Sequence, residues 1–167
     1  MVTILIKDII QQFNDLDNGD LWLDENFSRK LSQIDEENAF TRPLPDMHSP
    51  AELLSHLIVW RKVNIRRMNG ETVTLENDDL ADWKTNDDLR PGGWEMLKKE
   101  FYQSKQDVIN MLEGKDDSYL NTVSTHYKKD FKYLLQGLVH HDVYHLGQLG
   151  IVIKYLQNKM PDLNAFD

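Results

Sequence analysis

Cysteine is absent from this chain. Neither a disulfide framework nor a thiolate site can be built from it, and a reducing cytoplasmic compartment is the expected setting. No apolar run approaches the ~20 residues of a membrane span, so no membrane partner is expected. The N-terminal MVTILIKDII carries no basic leader, and Lys7 and Asp8 break its apolar run, so it does not read as a signal peptide. Positive charge is scarce as well: 19 Lys and Arg stand against 28 Asp and Glu, a formal net charge of -9. That excess of acid argues against nucleic-acid backbones, and no nucleic-acid partner is expected.

What remains is globular in composition, with 40% hydrophobic and 28% charged residues. A length of 167 residues suits one domain over residues 1–167, with no repeat or low-complexity tract. Val2, Ile6, Ile9, Phe13 and Leu16 recur at steps of four and three, which predicts a helix over 2–17 ended by Asn18-Gly19. Leu21, Leu23, Phe27, Leu31 and Ile34 suggest a short helical piece before the extended TRPLPD. Ser49-Pro50-Ala51-Glu52 is a capping box with proline at the first helical position, and the helix it opens runs to Asn69-Gly70. The acidic stretch over 71–93, with Glu71, Glu76, Asp78, Asp79, Asp82, Asp87 and Asp88, reads as a solvated loop. Within it Trp83 either packs onto a bundle end or covers a site. Trp94, Leu97, Phe101, Val108 and Met111 define the next helix, with Ser104 as a looser seam position. Val123 and Tyr127 anchor the linker that leads to the last helix, which ends before Pro161.

That last helix holds the chemistry. Leu134, Leu138, His141, His145, Leu149, Val152 and Leu156 form one seam in which two expected aliphatics are histidines. Residues i and i+4 stand roughly 5–6 Å apart on one helix face, so His141 and His145 can point at a common atom. His56 takes a seam position with Leu53, Trp60 and Val63 in the capped helix, and is the third candidate ligand. Three neutral imidazoles in a core need partners for six nitrogens, and a metal satisfies three at once. Three imidazoles with an open position form the ligand set of a catalytic-type zinc site, and imidazole also suits nickel, iron or copper. Gln148 and Trp60 are candidates to line the site. Asp142 lies about 100° round the helix from His141, so it is a candidate to support the site or to bond the next helix, not a direct ligand. Tyr144 is expected on the opposite flank, and His48, His126 and His140 in solvent. HDVYH departs from the zincin pattern HExxH in its shorter acid and in leaving only the C-terminal end to supply a third ligand. No residue is an obvious general base, so the catalytic residues are unassigned.

Four long helices with such seams predict an all-α four-helix bundle. SPAELLSHLIVW, the Asn69-Gly70 stop after it, and HHDVYHLGQLGIVIKYL together resemble the DinB/YfiT-like superfamily. The resemblance implies up-down-down-up topology, a His56–His141–His145 metal triad holding zinc or nickel, and a homodimer. It implies as activity a metal-dependent hydrolase or a thiol-dependent S-transferase acting on a small-molecule substrate. With no cysteine in the chain, any thiol must come as a low-molecular-weight co-substrate. The alternative is a non-catalytic metal- or ligand-binding bundle.

Overall fold

A computed structural model gives the architecture for residues 2–75 and 81–158. Among these residues every regular element is helical, with only an isolated bridge between Val123 and Asp130. In chain order they are α1 (Ile4–Asn18), α2 (Phe27–Leu31), α3 (Glu36–Ala39), α4 (Pro50–Met68), α5 (Asn86–Leu89), the 3-10 turn η1 (Arg90–Gly92), α6 (Trp94–Leu112), η2 (Asp117–Asn121) and α7 (Phe131–Asn158). No helix is long and apolar enough to cross a membrane. Glu76, Asp78, Asp79 and the C-terminal DLNAFD lie outside the described residues.

α4 packs against both α6 and α7, and α1 against the same two helices. Most seam residues expected from periodicity meet in one core, which Phe13, Leu54, Phe101, Leu135 and Leu149 fill without exposure. Serine at the N-cap of α4 accepts from the Glu52 N–H, and the Glu52 carboxylate accepts from the Ser49 N–H, so the capping box forms as predicted. Gly70 follows α4 at φ 84°, a left-handed turn that favours glycine.

The start of α1 differs from the sequence reading. Val2 is exposed and outside the helix. The Thr3 side chain provides no cap; instead the Asp117 carboxylate in η2 accepts from the N–H groups of Ile4, Leu5 and Ile6 at 3.1–3.2 Å. Val123 is also exposed, and Leu120 is the apolar residue that pins this connection to the core.

Ser104 marks a polar cluster, not loose packing. Arg61 of α4 reaches it: one guanidinium nitrogen donates to Ser104 Oγ at 3.2 Å and to the Phe101 carbonyl at 3.0 Å. A second donates to Asp142 Oδ2 of α7 at 2.7 Å, and both partners are fully buried. Burial pushes the Asp142 carboxyl above the usual range, and the Arg61 charge opposes that rise. Removing one member of a buried pair leaves an uncompensated charge, whereas replacing both with apolar residues is often neutral. Arg61→Met is therefore expected to lower unfolding free energy in urea by about 3–5 kcal/mol, and Arg61→Met/Asp142→Leu to recover most of it.

Candidate metal centre

α4 and α7 each turn their histidines into the space between them. His56 Nε2 lies 3.0 Å from His141 Nε2, and His145 Nε2 lies 3.1 Å from the same atom. One ligand atom from each histidine falls within 4.8 Å of the others. Two nitrogens bonded at about 2.05 Å to a tetrahedral metal stand about 3.3 Å apart, so these spacings need only a slight opening to hold one.

The far side of two rings decides their tautomers. His56 Nδ1 is 2.7 Å from Asp82 Oδ1, and His145 Nδ1 is 2.6 Å from Gln148 Oε1. An oxygen acceptor at Nδ1 keeps the proton there and leaves a lone pair on Nε2. Two lone pairs thus converge on His141 Nε2, which has at most one proton to share. The donor set fits a divalent cation better than it fits itself.

Electrostatics agree. Burial, reinforced by the neighbouring imidazoles, pushes His141 down to about 3 and His145 down to about 4. Burial also lowers His56, against the opposing pull of Asp82. All three are neutral at pH 7, the form that ligates.

The structure moves several expected roles. Asp82, placed by composition in a solvated loop, is buried and accepts from Trp60 Nε1 at 2.7 Å as well as facing His56. It faces His56 in the supporting place considered for Asp142, which takes its other expected course and bonds a neighbouring helix through Arg61. Gln148 does not line the cavity in front of the histidines; its amide carbonyl meets His145 from behind, and its NH2 donates to the Tyr144 hydroxyl at 3.0 Å. Tyr144 is not on the opposite flank but joins the site. Trp83 lies over it, stacked on His56 with centroids 3.9 Å apart and on His48 at 3.7 Å. His48 is therefore half-buried, while His126 and His140 are exposed as expected. Asp82 and Trp83 carried no periodic signal; the only clue was a tryptophan amid charge.

In front of His56 and His141 opens a cavity of about 730 Å³, also lined by Trp60, Asn64, Asp82, Trp83, Tyr127, Tyr133, Leu134, Gly137, Leu138 and Tyr144. Trp60, a candidate to line the site, lies on this wall. The space touches His56 and His141, so the histidine cluster borders the cavity.

The DinB superfamily profile matches residues 22–149. The chain belongs to the DinB superfamily. No curated protein matches it. Among solved structures, the colibactin self-resistance protein ClbS in complex with double-stranded DNA is similar at 22% identity and TM-score 0.63, over 90% of this chain and 94% of that one. A conserved protein from Enterococcus faecalis is similar at 14% identity and the same TM-score of 0.63, over 95% and 99%. The first neighbour corrects the partner expectation, which set a small-molecule substrate and a homodimer against any nucleic acid. A chain with this DinB-like fold is solved on duplex DNA, so a net charge of -9 is no ground for excluding it. Net charge sums the whole surface, whereas a duplex meets only one face.

Unfolded histidines protonate near 6.5, but folded His141 and His145 resist protonation down to about 3 and about 4. Below pH 6.5 the unfolded state binds more protons, so the metal-free fold loses stability as pH falls through that window and keeps the full contribution above it. Urea midpoints of metal-free protein should fall from pH 7 to pH 5, and His141→Gln should flatten that fall.

Proposed function

We propose that this DinB superfamily protein is a metal-dependent enzyme in which His56, His141 and His145 hold zinc or nickel, as a hydrolase or a thiol-dependent S-transferase. One observation carries the reading: three Nε2 atoms converge at 3.0 and 3.1 Å beside a cavity large enough for a substrate group. A bound divalent cation supplies Lewis acidity, which brings water or a thiol near its neutral-pH ionisation. The chain supplies the rest. Asp82 and Gln148 hold two rings in the ligating tautomer and fix their angle. Trp83 covers His56 and keeps water from one side of the ring. Asp82 is engaged by both Trp60 and His56, so the cavity presents no carboxylate committed to general-base work. In the same reading the four long helices form one four-helix bundle domain in up-down-down-up order, as the family resemblance implies.

A second reading is nucleic-acid binding, favoured by the DNA-bound neighbour. Lys128, Lys129 and Lys132 fall beside Tyr127 and Tyr133, which line the cavity, so phosphate-binding charge is available near it. Fluorescence anisotropy with a labelled duplex is expected to give binding that weakens with salt and weakens further in Lys128→Ala/Lys129→Ala/Lys132→Ala. Salt-independent or absent binding overturns this second reading.

The metal reading is tested by elemental mass spectrometry on untagged protein. Near-stoichiometric zinc or nickel is expected, lost in His56→Ala/His145→Ala, and Asp82→Asn should weaken affinity by about 10–100-fold while keeping the fold. Protein without metal even after incubation with zinc and nickel sinks the enzyme assignment.

A further inference from the structure

The wall of the cavity beside the histidines has a composition of its own. Five aromatic side chains face it: Trp60 from α4, Trp83 from the loop before α5, Tyr127 from the connection before α7, and Tyr133 and Tyr144 from α7. Among the described residues that line it there is no Lys or Arg. Its one carboxylate, Asp82, is held by Trp60 and His56. Apart from the metal itself, a phosphate or carboxylate inside this space would find no cation on the wall, and a free ammonium no uncommitted carboxylate. A flat ring finds faces and edges on several sides.

Gly137 is the second, independent observation. It sits in the second turn of α7, one turn before His141 and one after Tyr133, on the cavity wall. Glycine inside a helix costs about 1 kcal/mol relative to alanine. A Cβ built there meets nothing within 4 Å, so no neighbouring helix demands the missing side chain. What glycine does preserve at this point is open space against the histidines.

We propose that this cavity takes an uncharged, flat heteroaromatic group whose ring nitrogen or oxygen faces the metal held by His56, His141 and His145. The proposal rests on the metal reading above and adds the class of group the site selects. The ring enters between the aromatic walls, and its donor atom reaches the side of the centre that His56 and His141 leave toward the cavity. A free heterocycle and an unpaired base in nucleic acid share this chemistry.

Cobalt-loaded protein separates the parts, because its visible absorption reports the metal independently of any ring. Benzimidazole and imidazole offer the same donor nitrogen with and without a fused ring, and benzoate offers a ring with a charge. Benzimidazole is expected to shift the cobalt band at about tenfold lower concentration than imidazole, and benzoate to bind weakest. Gly137→Leu, which suits a helix interior and has room at Cβ, is expected to retain the cobalt band and thermal stability and to lose the benzimidazole advantage. Tyr133→Ala is expected to reduce that advantage by at least about threefold. No cobalt band in wild type overturns the metal reading and this proposal with it. A cobalt band with benzimidazole no tighter than imidazole, or an advantage unchanged in Gly137→Leu, overturns the ring-binding proposal alone. A duplex carrying one unpaired base distinguishes the sources: competition with benzimidazole assigns the group to nucleic acid, and its absence assigns it to a free heterocycle.

Discussion

The contact on which the rest depends is the Arg61 guanidinium lodged between three helices. It bonds Asp142 on α7 and the Phe101 carbonyl and Ser104 hydroxyl on α6, while its own residue belongs to α4. Asp142 is the residue after His141, and Arg61 lies five residues beyond His56. The bond therefore sets how far α4 slides along α7, and so whether His56 meets His141 at all. Burying two charges is costly, and apolar residues of similar volume could fill the same space. They would not specify one register, because apolar contact is non-directional and a guanidinium–carboxylate bond is not.

Register alone would leave three rings free to rotate. Their angles come from the outside of the cluster, where Asp82 and Gln148 engage the far nitrogens of His56 and His145. The two supports differ in origin. Gln148 sits on the same helix as its histidine, one turn later, so it comes with the helix. Asp82 arrives on a loop, next to Trp83, and the same short segment supplies an acceptor for His56, an acceptor for Trp60 and a ring stacked on His56. The cavity wall and the support of the centre are thus parts of one piece of chain. Anything that displaces this segment changes both together.

Much of the frame was legible from residue order because helices carry their own signals. The Ser49–Glu52 capping box, the seams of α4, α6 and α7, and the glycine stop after Met68 each act within a few residues. Where the reading failed, the cause was action at a distance. Asp117 caps α1 across 112 residues of chain separation, so Thr3 and Val2 gave no hint of how that helix starts. Ser104 reads as slack in an apolar seam until Arg61, 43 residues away, is seen to occupy the space. Net charge could not exclude nucleic acid for a related reason, since a sum over the chain holds no information about its arrangement.

By itself the sequence determined an all-helical chain and which side of each helix turns inward, with three histidines among the inward positions. These follow from periodicity and capping, which are local and survive without knowing the fold. Only the tertiary structure decided that the three imidazoles share one point, that Asp82 rather than Asp142 stands behind His56, and that Trp83 covers the centre. Those outcomes turn on the approach of α4 to α7 and on the path of a loop. Neither follows a period, so neither leaves a mark that residue spacing can carry.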